Sequence, residues 1–472
     1  MPRLLVTALL AAVLSAACGG GGSDGGGGTA NAYHIGGTIT GLSSATGLVL
    51  ANGIDTLTVP AGATSFSMPT AVANGAAYDV TVRIHPTALN CTVISGAGTV
   101  TGADVASISV HCGPGTESVL YSFKGAPADG AYPNSLIQAS DGDLYGVAGG
   151  DTSNLSVIPG VVFKISSTGT ESVLYAFKGG TTDGADPISL IQASDGNFYG
   201  MTDQGGTNGF GTVFKVTPGG SETVLYSFAD LPFFSLIQAS DGNFYGVTAQ
   251  GGMNGLGTVF KVTPDGSESL VYSFSGGADG ASPAGGLIEA GDGNLYGVTR
   301  HGGAYGLGTV FKVTPGGTET VLYSFGGMND GFNPVGALIQ ASDGNFYGTT
   351  SYGGPNGIGT VFRVTPGGAE TVLYSFRAMN DGAQPVGGLI QASDGDLYGV
   401  AGGGGAYTAS VLFRITLAGE ESVLYSFPSL PYPGGLNPGL IQARDGNLYG
   451  TSHVGGTRAF PAADLGIVFE FN

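Results

Sequence analysis

The sequence predicts an all-β protein: a seven-bladed β-propeller closed by its N-terminal strand and preceded by a small immunoglobulin-like β-sandwich. Three observations carry this prediction. A unit of about 51 residues recurs seven times across residues 117–472. Each unit holds four strand-like runs and no helical periodicity. The repeat region opens with one strand that its last unit lacks, as a closed ring of sheets requires.

The repeats can be counted three ways. The Asp of the motif DG-[ND]-[FL]-Y-G stands at Asp141, Asp195, Asp241, Asp292, Asp343, Asp394 and Asp445, at spacings of 54, 46 and then 51 four times. V-L-Y-S-F and its variants begin at Val119, Val173, Val224, Leu270, Val321, Val372 and Val423. A third motif, VF before a basic residue in most copies, centres on Phe163, Phe214, Phe260, Phe311, Phe362, Phe413 and Phe469. A unit therefore reads LIQAS, NFYGVT, GTVFKVT, ETVLYSF. Asp-Gly between the first two runs predicts a two-residue type I′ hairpin. Thr-Pro-Gly-Gly between the last two predicts a type II turn. The final unit ends at IVFEFN, so residues 117–123 would complete it and remove two open sheet edges.

DGNFYG-x-T, GG-x-x-G-x-GTVFKVTP and TVLYSF resemble the tandem GloVer extracellular repeats of bacterial proteins, over residues 117–472. That resemblance implies an exported, repeat-built protein and no particular reaction. The DGNFYG-x-T core also resembles the DGN-x-W-F-T-E repeats of streptogramin-lyase-type propellers, which are seven-bladed, metal-assisted enzymes. In that family a Glu follows the Thr and a nearby His is the base. Here Ser452 precedes His453 and Arg300 precedes His301, so the acidic metal ligand is missing and the lyase mechanism with it.

Upstream, residues 33–113 contain the runs HIGGTITGL, GLVLANG, DTLTVP, TSFSMP, YDVTVRIHP, CTVISG and SISVHC, the pattern of a small sandwich. The segment resembles the β-sandwich modules that follow Gly-rich tethers in bacterial surface lipoproteins. Cys91 and Cys112 lie in it and should pair in an exported chain, a bridge worth about 3 kcal/mol. His85 and His111 show no metal-ligand spacing. Residues 1–17 read as a signal peptide: Arg3, an apolar run from Leu4 to Leu14, then Ser15-Ala16-Ala17. Small residues before Cys18 resemble the lipobox of bacterial lipoproteins, with Ser15 at the usual Leu position. Cys18 is therefore the expected lipidation site; ordinary cleavage leaving a free thiol is the alternative. Residues 18–32 form a Gly-rich tether with a reach of roughly 20 Å. The expected location is the bacterial cell envelope, with membrane contact through the lipid alone.

Composition narrows the function classes. The 472 residues include 90 Gly and 23 Pro, near the disordered range, yet 42% are hydrophobic and 10% aromatic, which is enough to drive folding. With 14 Lys and Arg against 34 Asp and Glu the net charge is −20, which excludes nucleic acid as a partner.

Motifs that look chemical mostly read as architecture. The glycines Gly205, Gly206, Gly209 and Gly211 lead into a strand, whereas a phosphate loop must lead into a helix. One Asp per hairpin is too few for calcium, so the DG carboxylates are turn residues. A second motif, DG-x-x-P at Asp129, Asp183, Asp279, Asp330 and Asp381, reads as loop-shaping between blades. Lys164, Lys215, Lys261, Lys312, Arg363 and Arg414 share one position. Cross-strand ion pairs are expected for Lys215 with Glu222, Lys261 with Glu268, Lys312 with Glu319 and Arg363 with Glu370. Glu470 takes this place in the last unit and should face Glu117.

Two sets of candidate binding residues remain. If LIQAS is the innermost strand, Gln138, Gln192, Gln238, Glu289, Gln340, Gln391 and Gln442 ring the channel, either as ligand contacts or as bonds between blades. Just after the second strand the repeat breaks, giving Asp203, Arg300, His301, Tyr352 and His453 at one rim. His301 and His453 are read as one repeat position on units four and seven. The expected function is a non-enzymatic binding or interaction module with a glycan, peptide or protein ligand and no metal or cofactor. The alternative is a metal-assisted lyase or hydrolase in the central pocket.

Overall fold

The structure is a computed structural model. It describes residues 31–42, 47–84, 86, 89–113, 115–125, 129–150, 159–166, 168–229, 235–378, 381–405, 410–427, 439–453 and 465–472. The signal peptide, Cys18, His85 and nearly all of the tether lie outside the described residues. Strands and no helices occur among the described residues.

Among the described residues the repeats form seven sheets with antiparallel neighbours. The second sheet runs Gly184–Gln192, Phe198–Gly205, Thr212–Val216, Glu222–Ser227, in sequence order from one edge to the other. Burial orients it. Phe198 to Thr202 are all buried, as is Thr212–Val216 apart from Lys215, while Glu222–Ser227 is half-exposed. A sheet buried on both faces needs a neighbour on each side. Seven core clusters supply these contacts, each straddling two consecutive sheets. Tyr145, Val147 and Phe177 pack with Leu190, Phe198 and Phe214 across one boundary. Tyr449, Val468 and Phe123 of the last sheet pack with Leu136 and Phe163 of the first.

The first strands of adjacent sheets meet at the inner edge, where backbones nearly touch. A Cβ built on Gly336 would sit 2.0 Å from the Gly388 nitrogen, and Gly336 has a left-handed φ of 70°. Only glycine satisfies both conditions. The result is a β-propeller-like repeat fold.

The expected overlap of the two ends is present. Glu117–Ser122 is the outer strand of the last sheet, antiparallel to Ile467–Phe471. Glu470 pairs with Ser118 and Glu117 with Phe471, so the expected clash of Glu470 with Glu117 does not arise. Glu470 instead accepts a hydrogen bond from Asn447 Nδ2 at 2.7 Å.

Both hairpin turns differ from the sequence expectation, for one reason. Gly220 N–H donates to the Thr217 carbonyl at 2.8 Å, and Thr217 N–H to the Ser221 carbonyl at 2.9 Å. Gly220, not Gly219, has positive φ, at 81°. The loop thus has three residues, a turn followed by one left-handed residue, where a two-residue loop was expected. At the Asp-Gly turn, Gly196 is likewise the left-handed residue, and Gln192 pairs with Phe198. A one-residue change in register moves every side chain to the other face. Lys215 therefore opposes Thr223, and Glu222 opposes Val216. The same offset sets Lys261 against Ser269, Lys312 against Thr320 and Arg363 against Thr371, so the four expected Lys/Arg–Glu pairs do not form. Lys215 instead contacts Asp195 of its own unit at 3.3 Å, and Lys164 contacts Asp141 at 3.1 Å and Asp143 at 2.7 Å.

The DG-x-x-P segment belongs partly to the inner strand. Where it is present, that strand extends to Ala131–Gln138, Gly184–Gln192, Ala281–Glu289 and Phe332–Gln340. In the sixth unit it is split into Ala383–Pro385 and Ile390–Gln391. In the units without the motif its described part is Ile237–Gln238 and Ile441–Gln442. The Asp itself shapes the loop as expected: Asp183 accepts from Tyr175 Oη and Lys178 N–H, both at 2.8 Å.

Residues 32–113 form two further four-stranded sheets and a short Ala32–Tyr33/Val72–Ala73 pair that the sequence did not suggest. One sheet orders Ser65–Ser67, Ile35–Thr40, Val105–Gly113 and Asn90–Ile94; the other orders Asp55–Thr58, Val49–Asn52, Ala77–Ile84 and Ala97–Thr99. Alternate residues such as Ile35, Ile39, Leu50, Val80, Val82, Ile108 and Val110 share one core. Cys91 and Cys112 form a disulfide between directly opposed residues of adjacent strands.

Candidate functional site

The two ends of the repeat body differ in chemistry. At the Asp-Gly end, polar side chains are engaged in the same way in unit after unit. Asp195 accepts from Asn197 N–H at 3.0 Å, Asn197 Nδ2 at 2.8 Å and Tyr199 Oη at 2.8 Å. Burial raises its pKa, but these bonds and Lys215 outweigh it and hold the carboxyl down at about 2. The glutamine ring lies at this end. Gln192 Oε1 accepts from Ser140 N–H of the preceding unit at 2.7 Å, while its Nε2 donates to the Gly196 carbonyl at 3.2 Å.

The same link recurs from Ser194 to Gln238, Ser240 to Glu289, Gly291 to Gln340, Ser342 to Gln391 and Ser393 to Gln442. It closes from Arg444 N–H to Gln138 Oε1 at 2.9 Å. These seven side chains therefore join sheets, which is the second of the two roles open to them.

The other end is variable. Asp203 is half-buried; burial first, and then the charge of Asp186, push its pKa up to about 6. Asp203 Oδ1 is buried with no hydrogen-bond partner. Asp186 accepts from Gly150 N–H at 3.0 Å and Gln204 Nε2 at 2.9 Å. Tyr352 is 40% exposed and stacks on Phe332, ring centroids 5.6 Å apart. Arg300 and His301 are exposed at the end of Leu295–His301.

His453 behaves differently from His301. It stands four residues after Tyr449, whereas His301 stands five after Tyr296, and these tyrosines share one register, opposite Glu470 and Lys312. The two histidines are therefore one position apart in the repeat, correcting the sequence reading; His453 corresponds to Arg300. The His453 Nε2 is hydrogen-bonded to Asn134 Oδ1 at 2.8 Å, and its ring lies edge-on to Tyr132. Burial lowers its pKa, favouring the neutral ring.

A third group at this rim escaped the sequence reading. Tyr132, Asp186, Ser282, Asn333 and Gln384 precede the Pro of DG-x-x-P, and all five have φ between 51° and 56°. Residues before proline normally stay extended, and a non-glycine residue held left-handed costs about 1 kcal/mol or more. A backbone bond to the preceding unit holds each in place. Asp186 N–H, for example, donates to the Pro159 carbonyl at 2.7 Å, and Asn333 N–H to the Leu307 carbonyl at 3.1 Å. Glycine would relieve the strain, yet five different side chains stand there. Asn333 Oδ1 is buried without a partner. The available signal was the one variable residue before a repeated proline.

A hollow of about 830 Å³ lies between the sandwich and the Asp-Gly end of units six and seven, lined by residues including Asp79, Thr81, Tyr398, Arg444 and Phe471. No group of three or more metal-ligating side chains occurs among the described residues.

Comparison with solved structures shows the same kind of fold. The extracellular domain of a hybrid two-component system from B. thetaiotaomicron matches 80% of this chain with a TM-score of 0.52 at 11% identity. A second such domain from the same organism matches 84% with a TM-score of 0.47 at 12% identity. The chain spans 43% and 50% of the lengths of these two proteins. The PQQ-bound aldose sugar dehydrogenase of Streptomyces coelicolor matches 76% of this chain and 98% of its own, with a TM-score of 0.40 at 16% identity. No curated protein matches the sequence. The family model for the Gloeobacter/Verrucomicrobia repeat matches twice, over residues 22–234 and 232–469, and the chain belongs to that repeat family.

Proposed function

We propose that the chain is a closed seven-bladed β-propeller behind an immunoglobulin-like sandwich, acting as a non-enzymatic binding module at the bacterial cell envelope. Lipid on Cys18 anchors it, and the tether holds the folded body off the membrane. One observation carries the binding role: side chains that break the repeat gather at one rim, several of them in strained backbone or with an unsatisfied buried oxygen. Amide and carboxyl groups interleaved with tyrosine rings suit a glycan or an extended peptide.

Arrays of glycans and peptides test this. Ligands retained by the native protein and lost in the Arg300→Ala/Tyr352→Ala variant are expected. Silence on both arrays, with the fold verified, would overturn the reading. The anchor is tested by Cys18→Ser, which should move the protein from the membrane to the soluble fraction.

An enzymatic reading has one observation in its favour. Burial and then the charge of Asp186 push the Asp203 carboxyl up to about 6, the range of a proton-donating member of a carboxyl pair. Turnover abolished by Asp203→Asn with ligand binding intact would favour a hydrolase.

A further inference from the structure

The register correction at the outer hairpins places an acidic residue at every boundary between units. Glu171, Glu222, Glu268, Glu319, Glu370, Glu421 and Glu117 each open a fourth strand and pair with the last residue of the third. The outer strand of the preceding unit brings a tyrosine to the same place, and at five boundaries the Asp of DG-x-x-P, which leads into the Glu's own unit, joins it. Tyr121 donates to Asp129, and its hydroxyl lies 3.4 Å from Glu171 Oε2. Tyr175 donates to Asp183 at 2.8 Å beside Glu222. Tyr272 and Asp279, 2.9 Å apart, stand beside Glu319, and Tyr374 and Asp381, 2.6 Å apart, beside Glu421. Tyr323 and Asp330 do the same beside Glu370.

In all five, the other glutamate oxygen, Oε1, is buried and has no donor. Two carboxylates and an orphaned oxygen in one half-buried place are unfavourable while both acids are ionised, and one proton relieves the conflict. Basic residues offset it only in part: Lys124 near Glu171, Lys178 near Glu222 and Arg377 near Glu421. Arg377 is itself tied to Asp381 at 3.1 Å.

We propose that these five boundaries are protonation switches: each holds one proton between a Glu and the Tyr–Asp pair at its junction with the preceding unit, so the ring is tightest in mildly acid surroundings and slackens as the pH rises to neutral. The electrostatics agree. Burial first, then the facing Asp, push Glu171, Glu222, Glu319 and Glu370 up to about 7. Glu421 also reaches about 7, burial again leading and Asp381 adding to it. The third and seventh units lack the motif Asp. Glu268, in the third, is raised by burial. Glu117, in the outer strand of the seventh, faces Tyr425 of the sixth, and its rise also comes from burial.

The sign follows from proton linkage. Between about 4.5 and 7 the unfolded chain has released these protons and the folded chain retains them, so stability falls as pH rises and levels off above that window.

The test is thermal unfolding of the full-length protein from pH 5.5 to 8.5, with the midpoint expected to drop by roughly 5 °C or more. The variant carrying Glu→Gln at 171, 222, 319, 370 and 421 should lose most of that slope, whereas Glu268→Gln should change it little. Carboxyl ¹³C titration of the native protein reads the same groups without mutation and should show five glutamates with midpoints well above 4.5. Ordinary glutamate midpoints throughout, or an unchanged slope in the five-fold variant, would overturn the proposal. Neither result bears on the rim ligand.

Discussion

The Asp-Gly end and the variable rim are built on the same strands and differ in what their polar groups do. At the Asp-Gly end every unit repeats one set of bonds, because each unit must join its neighbours in the same way; Gln192, Gln238 and their counterparts form that set. At the rim, backbone N–H groups such as that of Asp186 make the joints, which frees the side chains to differ. Repetition therefore marks where one set of side-chain bonds holds the body together, and variation marks where the contacts differ from unit to unit.

Substitutions can break this contrast. The largest effect is expected at the inner edge, where Gly336→Val meets backbone atoms of the next unit; a loss of about 3 kcal/mol or more, or failure to fold, should appear in denaturant unfolding. Next is Asp292→Ala at the Asp-Gly end. It strands the Tyr296 hydroxyl, which now donates at 2.8 Å, and should cost about 1–3 kcal/mol by the same measurement.

The acid limb of stability reports the same end. Asp195 has a folded pKa of about 2, below its ordinary 3.8, so its contribution is present above that ordinary value and is lost as pH falls towards 2. The urea midpoint should accordingly fall below about pH 4, opposite in direction to the glutamate window. Lys215→Met removes a half-exposed contact to Asp195 and a position over the Tyr199 ring; a change below about 1 kcal/mol is expected. Smallest is Tyr352→Ala at the rim, which should shift stability by about 0.5 kcal/mol or less while weakening any ligand captured on the arrays. A large destabilisation there would erase the contrast between the two ends.

Much of the fold was legible in the sequence. The motif spacing located seven sheets, and the strand missing from the last unit located the overlap of Glu117–Ser122 with Ile467–Phe471. The Cys91–Cys112 bridge was legible from composition and context. The candidate site was legible only as a region. Asp203, Tyr352 and Arg300 are at the rim, but the role of His453 depends on Asn134, which is 319 residues away in the chain. The Lys–Glu pairs failed because Pro-Gly-Gly can close a two- or a three-residue loop, and one residue reverses which side chains meet.

The sequence by itself determined the number of units, their strand order, the closure and the disulfide, because each leaves a periodic or compositional trace. Only the tertiary structure decided register, the joining role of the glutamines, the left-handed residues before proline and the acidic pairs between units. Those depend on which unit lies beside which and on one-residue offsets in the turns, and a repeat read along one dimension carries neither.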